Sequence, residues 1–185
     1  MKSDDVLVLR RKGSVAAGVV LIIALHVVNL MTVITIDLDP GVSYGMAVLR
    51  LGVATGLACT VAWSAVVRSR VVLTRGEGIR VINPLGRAWM PWTSFVDARR
   101  SRSGLEIRGT GDFVVHAWAF SSSMLDMGRT DRARSTIDQA AAYARHTGEL
   151  GSGSPGRSWS LPWRAALVLI ATETAMGWLA HQMSS

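Results

Sequence analysis

Long apolar runs alternate along this chain with a stretch of short, strand-like segments, and that contrast sets the predicted architecture. Val15 to Ile36 carries no Asp, Glu, Lys or Arg over 22 residues. At 1.5 Å per residue such a helix extends about 33 Å, enough to cross a hydrocarbon core of about 30 Å. Leu51 to Val67 is a second charge-free run of 17 residues, and Ala165 to Ala180 is a third of 16, interrupted by Glu173. The expectation is three transmembrane helices, the third the shortest and most polar.

Between the second and third runs the period changes. Val71 to Arg75, Ile79 to Ile82, Ala88 to Trp92, Ser94 to Ala98, Leu105 to Arg108 and Phe113 to Trp118 read as short strands. Turn signals separate them at Gly76-Glu77-Gly78, Asn83-Pro84-Leu85-Gly86, Ser101 to Gly104 and Gly109 to Asp112. That spacing predicts an antiparallel meander. Ala133, Ile137, Ala140, Ala141 and Ala144 then share one helical face between Thr130 and His146, with Gly148 as a stop. Trp92, Phe113 and Val115 are the expected core of this soluble part. The chain thus divides into a basic N-terminal segment (1–14), two transmembrane helices joined by a short external link (15–67), a soluble domain with its helix (68–147), a Gly/Ser-rich flexible linker (148–160) and a third transmembrane helix (161–181).

Charge adds orientation. The net charge is +7, with 18 Arg against 2 Lys, a bias that first reflects GC-rich coding. Arg10, Arg11 and Lys12 precede the first apolar run, Arg68 and Arg70 follow the second, and Arg157 and Arg164 precede the third. The link from Asp37 to Gly45 holds only acidic charges. By the positive-inside rule the N-terminus and the soluble domain are cytoplasmic and the C-terminus is outside, in a multi-pass plasma-membrane protein. Arg10-Arg11-Lys12 could open a signal peptide, but the apolar run is too long and no cleavage site follows, so an uncleaved anchor is expected.

Here the residues reach a resemblance. Two spans, then Val72-Leu-Thr-Arg-Gly-Glu-Gly-Ile-Arg80, Met90-Pro-Trp-Thr-Ser-Phe-Val-Asp97, and a Gly-Asp turn into Phe113-Val-Val-His-Ala-Trp118, resemble the PH-like domains of actinobacterial membrane proteins. The resemblance covers about Arg70 to Phe120. It implies a split β-barrel of PH type on a membrane anchor, in a family of largely undefined function. The segment after Ser121 and the third apolar run depart from that pattern. The PH label carries no phosphoinositide binding with it.

Candidate chemistry is sparse. No phosphate-binding glycine loop, nucleophile elbow or metal-spaced His pair occurs, and no nucleic-acid motif. Cys59 is the single cysteine, which excludes an intrachain disulfide. His116 reads as a surface histidine. Arg99, Arg100 and Arg102 form a basic turn, a candidate contact for anionic lipid or a protein partner, with a solvated turn as the favoured reading. Gly52, Gly56, Thr60 and Ser64 recur every four residues in the second run, a close-packing stripe best explained by a neighbouring helix of the same chain. His26, Asn29, Arg50 and Glu173 are polar groups inside apolar runs. Such groups are costly in lipid and take partners, so a polar clasp between helices is expected in preference to a proton path. No cofactor and no enzymatic activity are expected. The functional expectation is a membrane-anchored PH-like adaptor or assembly factor presenting a cytoplasmic surface to a protein. The alternative is an accessory subunit bound to a larger complex through its helices.

Overall fold

The computed structural model describes residues 6–10, 12–35, 43–120, 128–160 and 162–184. These form a mixed helix-and-sheet molecule of two units: Met1–Lys12 with Arg68–Leu161, and Gly13–Val67 with Pro162–Ser185. In chain order the elements are β1 (Val6–Leu9), α1 (Lys12–Thr35), α2 (Tyr44–Ala62), β2 (Arg70–Thr74), β3 (Gly78–Ile82), β4 (Gly86–Pro91), β5 (Phe95–Ser101), β6 (Gly104–Gly109), β7 (Val114–Ala117), α3 (Arg129–Thr147), β8 (Gly156–Trp159) and α4 (Trp163–Ser184). A π-helical segment, Trp63–Arg68, carries the end of α2 towards β2.

The β unit has two antiparallel sheets, one ordered β1-β2-β3-β4-β8 and one ordered β5-β6-β7. The strands expected between Val71 and Trp118 are β2 to β7. Side chains alternate as a half-buried sheet requires. Val71 and Leu73 are buried while Arg70, Val72 and Thr74 are only partly so. Pro91 ends β4, and one 3-10 turn, Trp92–Ser94, leads the chain into β5 and the second sheet. Gly78 is required there, because a Cβ at that position would lie 2.2 Å from the Met90 carbonyl oxygen. Asn83 stitches the sheets together: its Nδ2 donates to the His116 carbonyl at 2.8 Å, and its Oδ1 accepts from the Trp118 backbone N–H at 2.9 Å.

α3 lies over β5 and β6 and buries Ala133, Ile137, Ala141 and Ala144 in the same core as Val71, Ile79, Trp92, Leu105 and Ile107. Gly148, left-handed at φ 68°, ends the helix, as a C-terminal glycine does. Arg145 Nη2 donates to the Phe95 carbonyl at 3.2 Å, and Arg75 pairs with Glu149 at 2.7 Å while stacking on Tyr143. These contacts fix both ends of the last helical turns to the sheets.

Two expected boundaries are corrected. The basic N-terminal segment contributes β1, which pairs antiparallel with β2 from Val6↔Thr74 to Leu9↔Val71. The stretch expected as a flexible linker contains β8, paired with β4 from Gly86↔Trp159 to Trp89↔Gly156. Both are edge strands held by backbone pairing. All four β8 residues are exposed, so no hydrophobic alternation announces that strand.

The helical unit comprises α1, α2 and α4. Two stretches, Val15–Thr35 and Tyr44–Arg68, are long and apolar enough to cross a membrane. The third expected run forms α4, interrupted by the Thr172-Glu173-Thr174 triplet. The acidic link after Asp37 lies, up to residue 42, outside the described residues.

Candidate functional site

The close approach of α2 and α4 is written in glycine. A Cβ on Gly52 would lie 2.5 Å from Thr174 Oγ1 and 3.0 Å from Thr174 Cα. One on Gly56 would lie 2.6 Å from Ile170 Cγ1 and 2.7 Å from Ile170 Cα. Only residues without a side chain allow backbones this near. Thr60 turns its hydroxyl back to the Gly56 carbonyl at 2.7 Å, and Ser64 is buried. Gly177 on α4 reciprocates, packed against Val48 and Val33.

Helical phase then decides what meets at this seam. Cys59 follows Gly56 by three residues, and Glu173 sits between Ile170 and Gly177. Both therefore face the seam, and Cys59 is fully buried and Glu173 nearly so. α1 adds the stripe Gly18, Ile22, His26, Asn29 and Val33, which carries its least exposed side chains.

The result is a polar cluster with groups from three helices. His26 Nε2 lies 3.0 Å from Glu173 Oε1. Asn29 Nδ2 donates to Glu173 Oε2 at 2.5 Å. Cys59 Sγ lies 3.9 Å from Glu173 Oε1 and 3.8 Å from His26 Nδ1. His26 Nδ1 is also 2.7 Å from the Ile22 carbonyl oxygen. A carbonyl oxygen only accepts, so Nδ1 carries a proton and Nε2 is the atom left to engage Glu173. Asn29 is buried, and its Oδ1 has no hydrogen-bond partner among the described residues.

Of the four residues expected in a polar clasp, the fold brings His26, Asn29 and Glu173 together. Arg50 is exposed on α2, nine residues before Cys59 and so about 13 Å away along the axis. Cys59 takes a place that the sequence reading did not give it. Its signal was available, since it continues the face of Gly52 and Gly56.

The basic turn is a different kind of feature. Arg99 Nε pairs with Asp97 at 2.6 Å, and Arg100 Nη1 pairs with Asp131 at 3.0 Å. Arg99 and Arg100 are thus engaged within the β unit, and Arg99, Arg100 and Arg102 are all exposed. Exposed pairs of this type contribute about 0–1 kcal/mol each. His116 is exposed on β7, 3.2 Å from Ser103 Oγ. Trp92 and Val115 are buried, whereas Phe113 packs at the core's margin under the Arg157 guanidinium.

Compared with family models, curated proteins and solved structures, the chain matches none.

Proposed function

We propose that this protein is a membrane-anchored, non-catalytic adaptor whose helices hold the β unit at the cytoplasmic face, where it offers a surface to a protein partner. The anchoring rests on two helices of spanning length and apolarity, and the cytoplasmic placement on arginines clustered beside the apolar runs. Two antiparallel sheets followed by a packed helix support the PH-like reading of the β unit.

The observation that carries the partner is β1. Among the described residues it is the edge of the five-stranded sheet, paired on one side only, with the apolar sequence Val6-Leu7-Val8-Leu9. Val6 is 54% and Val8 44% exposed. They share the face of Val72 and Thr74, while Leu7 and Leu9 lie across from buried Leu73 and Val71. Proteins normally blunt such an edge with charge or proline, because an open apolar strand recruits another. An extended segment of a partner would add its backbone to this edge and its side chains to the Val6–Val8 face.

The test is co-purification of the full chain from native membranes in mild detergent, beside the double variant Val6→Lys, Val8→Lys. A partner polypeptide recovered with the wild-type chain and lost with the variant, at equal protein level and thermal stability, supports the adaptor reading. The same polypeptides recovered with both proteins would refute docking at this edge and move the interaction to the helices.

A further inference from the structure

We infer that His26, Cys59 and Glu173 form a binding site for a divalent transition-metal ion of borderline softness, the zinc class, with Asn29 as the residue that positions Glu173. The ligand atoms of the three residues all lie within 4.8 Å of one another. In a tetrahedral zinc site, bond lengths of about 2.0–2.3 Å place neighbouring ligand atoms about 3.3–3.6 Å apart. The observed separations of 3.0 Å between His26 Nε2 and Glu173 Oε1 and 3.9 Å between Cys59 Sγ and Glu173 Oε1 bracket that spacing. The third edge, between Cys59 Sγ and the His26 ring nitrogen, lies within 4.8 Å, so the thiol must move inward to complete the site.

The ring orientation is that of a metal ligand. Nδ1–H is committed to the Ile22 carbonyl, which fixes the tautomer and turns Nε2 towards the carboxylate. Metal-binding histidines are held in this way by a backbone carbonyl or carboxylate on the second nitrogen. A neutral imidazole then points a lone pair at a Glu173 oxygen, an arrangement that needs a proton or a metal ion between them. A proton there, on Nε2 or on the carboxyl, leaves the thiol in weak sulfur contacts, at 3.9 Å to Glu173 Oε1 and 3.8 Å to His26 Nδ1. A metal ion uses all three groups.

Charge decides in the same direction. A thiolate, a carboxylate and a neutral imidazole carry two negative charges, so a divalent ion makes the site neutral, the least costly state for ionised groups away from water. Mixed sulfur, nitrogen and oxygen donors select zinc-like ions over magnesium or calcium, which take oxygen alone. Three protein ligands leave one coordination position. The buried Asn29 Oδ1, without a partner among the described residues, lies on the residue that binds Glu173 and would accept a hydrogen bond from water held there.

The experiment uses the purified full-length chain, without a histidine tag, in detergent micelles titrated with Co²⁺ and then Zn²⁺. The expected result is one Co²⁺ per chain, with the ultraviolet thiolate-to-cobalt charge-transfer band and the visible bands of a tetrahedral ion, both displaced by Zn²⁺. Cys59→Ala should abolish the charge-transfer band. Asn29→Leu should weaken Co²⁺ binding about 10–100-fold while the band survives, as loss of a residue that positions a ligand does. Glu173→Gln keeps a hydrogen-bonding group beside Asn29 and should lower affinity without unfolding the chain, checked by circular dichroism and melting. No Co²⁺ binding by the folded protein would overturn the inference. So would binding without the thiolate band, or binding unchanged in Cys59→Ala and Glu173→Gln. The cluster would then be a hydrogen-bonded clasp between helices.

Discussion

Trp92 is where the β unit is most exposed to a single substitution. Its side chain is 3% exposed, meets Phe95 edge to face with ring centres 5.9 Å apart, and donates Nε1–H to the Thr74 carbonyl at 3.0 Å. It sits at the crossing between the two sheets, in the 3-10 turn that joins β4 to β5. Trp92→Ala removes the ring and one of the two donors to the Thr74 carbonyl, which keeps the Glu77 backbone N–H at 3.2 Å. Truncation of a buried Trp costs about 3–5 kcal/mol, against about 5–15 kcal/mol for the whole stability of a domain. For a unit of about 100 residues, each kcal/mol moves the melting temperature by about 4–8 °C. The fall should therefore be roughly 12–40 °C. Trp92→Phe keeps an aromatic ring and loses the hydrogen bond, so it should cost about 1–2 kcal/mol and fall in between. The assay is thermal unfolding of the full chain in micelles, followed by near-ultraviolet circular dichroism and tryptophan fluorescence. An unchanged melting temperature for Trp92→Ala would refute the assignment of Trp92 to the core, and equal losses for Ala and Phe would refute the role given to its ring.

Other substitutions divide along the same physical lines. Gly56→Ala places a methyl group 2.7 Å from Ile170 Cα. Overpacking of about 1–3 kcal/mol should outweigh the gain of about 1 kcal/mol in helix propensity, so resistance of the helical unit to SDS unfolding should fall. Gly45→Ala, whose new Cβ would lie 3.6 Å from Trp178, should leave it unchanged or raised. Glu173→Gln should cost less than about 1 kcal/mol in the same assay, since interhelical hydrogen bonds average about 0.6 kcal/mol. Arg100→Ala removes an exposed pair with Asp131 and should move the melting temperature of the β unit by the equivalent of about 0.5 kcal/mol or less.

What could be read from the sequence was what depends on local pattern. Alternation marked β2 to β7, and the spacing of Ala133, Ile137, Ala141 and Ala144 marked α3 to within a residue at each end. β1 and β8 escaped because their reasons are not local. Val6–Leu9 finds its partner in Arg70–Thr74, more than sixty residues away, and Gly156–Trp159 is a strand only because β4 is there to pair with it. In the helical unit, helix phase explains both the success and the error. Gly52 and Gly56 point at α4, and Cys59 continues their face. Arg50 lies more than two turns from Cys59 and on the exposed side, although polarity alone grouped it with His26, Asn29 and Glu173.

The central claim, a membrane anchor with the β unit on the cytoplasmic side, is tested most directly by cysteine accessibility in intact cells. Cys59, the only native cysteine, is fully buried and gives no background. Single cysteines would be introduced at Ser103, exposed in the turn between β5 and β6, and at Gln182, exposed near the end of α4. A membrane-impermeant maleimide should label Gln182→Cys in intact cells and Ser103→Cys only after the membrane is opened. Labelling of Ser103→Cys in intact cells, with Gln182→Cys protected, would reverse the topology. Recovery of both proteins in the soluble fraction would contradict the anchor itself.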